Sequence, residues 1–313
     1  MELAQAAEFF RRHDRFQLVT HRRPDGDTLG SAGALCHALG RMGKTAFLHP
    51  NPEITETWLP FVGPYLAPAA EDGCFNVAVD VADEGIVCQG FSGPIHLWLD
   101  HHPSRNGARE PGIVDPRRSS CGEVVLALIE QMLGAPDKEE ANLLYMAVST
   151  DTGCFCYANT NAETFRAAAR LLDAGAELPR INKLLFRTKR RERMLLEGMV
   201  YSSLRSLRGG ELNIAVITLD MLRSAGVTED DCDDLANLAG QVAGSRVSVT
   251  VRELSADPPE SKVSLRTDGG VDASRVCARF GGGGHRMAAG CELPLSPAET
   301  AEVLRSAVEE AWA

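Results

Sequence analysis

Short apolar runs alternate with longer amphipathic stretches through the first half of the chain. FQLVT (16–20), TAFLH (45–49), FNVAVDV (75–81) and IHLWLD (95–100) read as buried strands. LGSAGALCHALGRMG (29–43), CGEVVLALIEQMLG (121–134), EEANLLYMAVST (139–150) and ETFRAAARLLDAGA (163–176) read as helices. Ser120 with Glu123, and Thr160 with Glu163, match capping boxes. The N-terminal MELAQAAEFFRRHD reads as the start of an amphipathic helix rather than a signal peptide. Strand and helix in alternation predict an α/β fold, with a mostly parallel sheet and flanking helices.

The pattern changes after residue 185. FRTKRRERMLLEGMVYSSLRSL (186–207) is charged and helical, and its TKRRER run reads as a solvated face. ELNIAVITL (211–219), SRVSVTVRE (245–253) and SKVSLRT (261–267) then read as strands. A helix rich in small and acidic residues falls between the first two, and Ser296, Pro297 and Glu299 open a last helix. The expected organisation is a domain over 1–185, a connector helix over 186–209 and a smaller α/β domain over 210–313. A chain of 313 residues is long enough for two cores.

Charge and cysteine narrow the function classes. The net charge of −11 disfavours long duplex nucleic acid, which needs a broad basic face. It leaves room for a small anion held by metal ions and a few arginines. No apolar run reaches membrane-spanning length. Nine cysteines, an odd number, fit free thiols in a reducing cytoplasm better than a disulfide framework.

The candidate chemistry lies at the ends of the apolar runs. His21, Asp25 and Asp27 follow FQLVT, Asp80 follows FNVAV, Asp100, His101 and His102 close IHLWL, and Asp151 follows LLYMAVST. Ligands of open α/β sheets gather beyond the carboxyl ends of the strands, so these segments should converge on one crevice. Unpaired carboxylates packed together would repel and resist ionisation, and divalent cations remove that cost. Mixed His and Asp ligation without clustered cysteine suits manganese better than a structural zinc. Singly, each segment has a plain explanation: Asp-x-Asp as a solvated turn, His-His as surface chemistry, Asp80 as a helix cap. Four in order after apolar runs favour a shared site. Cys154 and Cys156 form a Cys-x-Cys with no partner pair, for which burial is the simpler reading.

In the second half, GGGGHRMAAG (281–290) stands out. Four successive glycines should not make a stable helix or strand interior, but they let backbone N–H groups approach an anion. His285 follows at once, and taken alone the run of glycines reads more simply as a flexible loop joining two elements.

Together, His21-x-x-Pro24-Asp25-x-Asp27-x-x-Gly30-Ser31, Asp80, Asp100-His101-His102 and Asp151 resemble the DHH phosphoesterase superfamily. GGGGHRMAAG resembles the glycine-rich motif of the DHH-associated C-terminal domain. The combination resembles the branch of bifunctional oligoribonucleases and phosphatases of 3′-phosphoadenosine-5′-phosphate (pAp), over nearly the whole chain. Ser119-Ser120-Cys121 departs from that branch, which more often has threonine at the third position.

The resemblance implies two divalent cations, with manganese expected. His21 and Asp25 would hold one, Asp27, His101 and Asp151 the other, and Asp80 both. His102 would face the substrate phosphate or orient the motif, and Asp100 would support the histidines from behind. Gly282, Gly283, Gly284, His285 and Arg266 would bind substrate phosphate, the second domain closing over the crevice. The implied reactions are hydrolysis of short RNA to mononucleotides and removal of the 3′-phosphate of pAp. A ligand of about two to five nucleotides fits such a site, whereas a long strand needs a basic track. A homodimer is compatible with the resemblance. Phosphodiesterase action on cyclic or linear dinucleotides is the alternative within the superfamily, and an inactive nucleotide-binding sensor is the alternative of another class.

Overall fold

A computed structural model of the chain describes residues 1–69, 73–103, 111–232 and 235–312. The chain divides into two compact units, Met1–Thr188 and Lys189–Ala313. In the first, α1 (Leu3–Arg12) leads into β1 (Phe16–Val19), α2 (Gly26–Arg41), β2 (Ala46–Leu48), a short α3 (Leu59–Val62) and β3 (Phe75–Val79). Then come β4 (Leu97–Asp100), β5 (Gly112–Val114), α4 (Cys121–Leu133), α5 (Lys138–Asp151), α6 (Ala162–Asp173) and a short α7 (Leu178–Asn182).

The five strands form one sheet in the order β2-β1-β3-β4-β5, and every pair is parallel. Strands β1 and β4 are buried along their whole length, which explains why they read as mostly apolar runs without alternation. Leu29, Leu35, Leu39, Leu126, Leu144 and Tyr145 of the helices close one core with Leu18, Val77 and Leu99 of the strands. Strand β5 escaped the sequence reading because its three residues are too few to show a period.

Two helix starts differ from expectation. Helix α2 begins at Gly26, three residues before the apolar pattern does, because the Asp25 side chain accepts from the Asp27 and Thr28 amides at 3.0 and 3.1 Å. The Asn161 side chain, rather than Thr160, caps α6 and accepts from the Glu163 and Thr164 amides. Thr160 is instead held in a turn, its amide N–H donating to Tyr157 O. Ser120 does cap α4, but the Glu123 carboxylate turns to the amide and hydroxyl of Ser119. The box at Ser296 and Glu299 forms as read.

The second unit holds α8 (Arg191–Ser202), β6 (Arg205–Leu207), β7 (Leu212–Ile217), α9 (Leu219–Ala225), β8 (Val247–Ala256), β9 (Pro259–Thr267), α10 (Ala273–Ala278), β10 (Gly283–His285), β11 (Ala288–Leu293) and α11 (Pro297–Ala311). Its six strands lie in the order β10-β11-β9-β8-β7-β6, and only β7 and β8 run parallel. Strand β9 alternates buried and half-buried residues, so one face packs under α10 and α11. The charged stretch read as one helix is interrupted. Helix α8 starts at Arg191, and Arg205–Leu207 is strand. Within the charged run, Lys189 and Arg193 both close on Glu197, at 2.8 and 3.0 Å. The acidic helix expected after β7 is α9 followed by short 3-10 turns, and residues 233 and 234 of it lie outside the described residues.

The glycine run corrects a second expectation, since Gly283–His285 is a strand paired antiparallel with β11. Lack of side chains permits the pairing. A Cβ on Gly282 would lie 2.2 Å from Gly290 O, and one on Gly284 2.6 Å from Ala288 O. Backbone hydrogen bonds made at that closeness outweigh the entropy lost by glycine.

Candidate metal centre

The carboxyl ends of β1, β3 and β4 meet the N-termini of α2 and α4 and the last residue of α5. His21 follows β1, Asp25 caps α2, Asp27 lies in its first turn, Asp80 follows β3, Asp100 ends β4, and Asp151 ends α5. Two glycines on α2 and one on α4 let the helices approach closely enough for this. A Cβ on Gly26 would lie 2.4 Å from Thr150 Oγ1, one on Gly30 2.4 Å from Leu143 O, and one on Gly122 2.7 Å from Ala147 Cβ.

The side chains form two triads of ligand type, His21–Asp25–Asp80 and Asp27–His101–Asp151, with Asp80 also grouped with His101 and His102. His21 Nε2 lies 3.7 Å from Asp25 Oδ1 and 3.8 Å from Asp80 Oδ2. His101 Nε2 lies 3.7 Å from Asp27 Oδ2, 3.4 Å from Asp80 Oδ1 and 3.6 Å from Asp151 Oδ2. Most of these separations are too long for hydrogen bonds, yet short enough for atoms that share a cation.

The imidazoles are oriented from behind. His21 Nδ1 donates to Arg22 O at 2.7 Å, and His101 Nδ1 lies 3.3 Å from Arg118 O, so each presents Nε2 to the carboxylates. His102 differs. Its Nδ1 donates to Asp100 Oδ1 at 2.8 Å and lies 3.6 Å from Asp80 Oδ1. Asp100 is fully buried and also accepts from the amides of His101 and His102. It therefore braces the two-histidine turn directly.

Electrostatics make the cluster costly without a cation. Asp80 is 3% exposed, its Oδ1 has no hydrogen-bond partner, and its φ of 58° lies in the left-handed region. Burial and the charges of Asp27, Asp25, Asp100 and Asp151 push its pKa well above the carboxylate range. Burial, Asp151 and Asp25 do the same to Asp27, against the pull of the Cys121 and Gly122 amides. Asp151 is pushed up to about 6 by burial and by Asp25. Among the described residues no lysine or arginine pairs with any of these carboxylates; their charged contacts are histidines. An orphaned buried oxygen, four crowded carboxylates and two imidazoles with free Nε2 fit divalent cations.

The last 103 residues have a match of their own: the DHHA1 domain model covers residues 211–313. The bifunctional oligoribonuclease and PAP phosphatase NrnA of Thermus thermophilus is 34% identical over 283 residues, 88% of this chain and 83% of that protein. The chain belongs to the NrnA family, and with it to the DHH phosphoesterases. The Bacillus subtilis protein of the same name is 25% identical over 90% of each chain. An exopolyphosphatase-related protein of Bacteroides fragilis has the same fold, with a TM-score of 0.85 at 24% identity, over 98% of this chain and 95% of that one.

Within the second unit, Arg266 of β9 pairs across β11 with Ala288, and Ala288 pairs with His285 of β10. His285 is exposed, and Arg266 Nη1 donates to Leu265 O at 3.1 Å. Arg266 and the glycine strand thus share one end of the sheet. Cys156 is exposed and Cys154 only half-buried, which corrects the burial reading. Gly153, Cys154 and Phe155 have φ of 55°, 55° and 66°, and this tight loop turns the following residue outward.

The sequence reading missed the part played by residues 117–122. The amides of Cys121 and Gly122 donate to Asp27 at 2.7 and 2.9 Å, so the departure at Ser119-Ser120-Cys121 lies against a metal-type ligand through its backbone. Backbone donors leave no side-chain pattern to read.

Proposed function

We propose that the chain hydrolyses very short oligoribonucleotides to mononucleotides and removes the 3′-phosphate of pAp. The observation that carries this reading is the pair of triads meeting at Asp80, whose buried oxygen has no partner. His21 and Asp25 would hold one divalent cation and Asp27, His101 and Asp151 the other, with Asp80 available to both. Manganese is the expected metal. Bound cations supply Lewis acidity, which lowers the pKa of water and offsets charge on a phosphoryl group.

The remaining work belongs to the chain. The Asp100 carboxylate accepts from Nδ1 of His102 and raises its pKa, and the imidazolium so favoured donates Nε2–H to a phosphate oxygen. Strand ends and helix caps hold the carboxylates in place before substrate arrives, which limits reorganisation during reaction. The first unit is the catalytic, metal-binding domain. The second is the substrate-binding domain, where Arg266, His285 and the backbone of Gly282, Gly283 and Gly284 take phosphate. The acidic charge supports short substrates over long duplex. Nine free cysteines support a cytoplasmic setting. Among the described residues no helix is long and apolar enough to cross a membrane.

The test is a manganese-dependent assay offering a ribodinucleotide, a long oligoribonucleotide, pAp and a cyclic dinucleotide side by side. Mononucleotides from the dinucleotide and adenosine monophosphate from pAp, with the long strand spared, are the expected products. Cleavage of the cyclic dinucleotide alone would reassign the chain to signalling. Binding without turnover on all four would make it a sensor.

A further inference from the structure

One backbone strap, residues 117–122, reaches two of the three groups on the Asp27–His101–Asp151 side. Its Cys121 and Gly122 amides donate to Asp27, and its Arg118 carbonyl faces His101 Nδ1. Asp151 is tied to the same strap through one side chain. Asn159 Nδ2 donates to Ser119 O and to Asp151 O, both at 3.1 Å, and lies 3.5 Å from Asp151 Oδ2. Asn161 Nδ2 adds a bond to Arg117 O at 3.3 Å, and Thr164 Oγ1 one to Ser119 Oγ at 3.0 Å.

The other triad is held locally. His21 leans on the carbonyl of its own neighbour, and Asp25 accepts from the first amides of α2. Among the described residues no hydrogen bond joins Asn159 or the strap to His21 or Asp25. The loop that carries Asn159 opens with three successive left-handed residues, Gly153, Cys154 and Phe155. Left-handed backbone at two non-glycine residues persists only where surrounding bonds over-determine it. Asn159 supplies two such bonds, one to each side of the loop's anchorage.

We propose that Asn159 is a positioning residue that sets the affinity of the Asp27–His101–Asp151 cation site separately from that of the His21–Asp25 site. The inference rests on the two-cation reading above. Its amide N–H groups hold Asp151 against the strap, so both the carboxylate and the helix end that presents it keep one orientation. Loss of an outer partner of a ligand weakens a metal by about 10–100-fold.

The experiment strips the full chain of metal and titrates it with Mn2+, reading free ion by its electron paramagnetic resonance signal. Wild type is expected to bind two ions. Asn159→Ala should keep one at unchanged affinity and weaken the other by about 10–100-fold. Asn159→Leu, which keeps the bulk but has no N–H donor, should weaken the same ion to a like degree. It also carries the test if the alanine variant does not fold. Equal weakening of both ions, or no weakening of either in both variants, would overturn the proposal. Failure of wild type to bind two ions would instead remove the two-cation reading.

Discussion

Asp80→Asn separates the two things Asp80 does. In the metal-free protein it is a buried charge among like charges. A carboxylate oxygen of Asp80 and one of Asp25 lie within 4.8 Å of each other, and Asp27, Asp100 and Asp151 also raise its pKa. Two unit charges about 5 Å apart repel by about 3 kcal/mol at an effective dielectric near 20. Protonation of the raised carboxyl relieves part of that. The neutral isostere should therefore stabilise the metal-free fold by about 1–2 kcal/mol, or roughly 2–8 °C for a unit of this size. With cations the sign reverses. Asp80 belongs to the His21–Asp25 triad and groups with His101 of the other, so its loss should weaken both ions and lower turnover by about 10³-fold or more, equivalent to about 4 kcal/mol.

Thermal melts with chelator and with manganese, beside turnover of a ribodinucleotide and of pAp, read both effects on one preparation. The expected result is a higher melting temperature in chelator, little or no rise on adding manganese, and collapsed turnover of both substrates. Near-normal turnover, or a chelated variant less stable than wild type, would refute the reasoning. The first would show that Asp80 is not shared by the cations, the second that its environment does not resist charge.

His285→Ala should raise KM for pAp by about tenfold or more while leaving Mn2+ binding intact, since a phosphate hydrogen bond with a charged partner is worth about 1.5–3 kcal/mol. Loss of manganese from that variant would place His285 among the ligands. Gly30→Ala should destabilise the first unit by about 1–3 kcal/mol in urea melts, because the new methyl meets Leu143 O; an unchanged midpoint would show that α2 and α5 part freely. Asp151 gives a pH signature. Its folded pKa of about 6 lies above the ordinary 3.8, so between those values the native protein binds more protons than the unfolded one. Metal-free stability from this group is greatest below 3.8 and declines as pH rises through about 6. The melting temperature of wild type relative to Asp151→Asn in chelator should fall over that range, and manganese should remove the fall, since a bound cation favours the ionised carboxylate.

Much of the first unit was legible because a parallel sheet buries both faces of its strands. FQLVT, FNVAV and LWLD are mostly apolar runs without strict alternation, and each ends where the backbone meets the crevice. The segments bearing His21, Asp80 and Asp100 could be placed at strand ends from that alone. What failed has a common cause. The first turn of α2, from Gly26 to Thr28, is buried without being apolar, so the helix was read three residues late. The amides that hold Asp27 belong to Cys121 and Gly122, and the carbonyl that orients His101 belongs to Arg118. Main-chain donors and acceptors are the same at every residue, so sequence cannot mark them. The glycine strand misled for the opposite reason. Composition argues from average entropy, whereas Gly282 and Gly284 answer to the particular atoms of Gly290 and Ala288 that stand against them.

The same logic explains why the site is built over glycine. Gly26 lies between Asp25 and Asp27 and faces Thr150, the neighbour of Asp151. Gly30 rests on the carbonyl of Leu143 one turn further along, and Gly122, which also donates to Asp27, faces Ala147 of the same helix. Any side chain at these positions would push α2 or α4 away from α5. That would carry Asp25 and Asp27 away from Asp151, and the strap from His101. The spacing of the carboxylates is therefore set by helix packing as much as by their own hydrogen bonds. Close packing resists small displacement, because a methyl that does not fit must move a whole helix. A crowded cluster of acids would spread if its supports were loose. Held on helices that interlock through missing side chains, it stays poised for cations that relieve the repulsion, which is the preorganisation that metal-assisted hydrolysis requires.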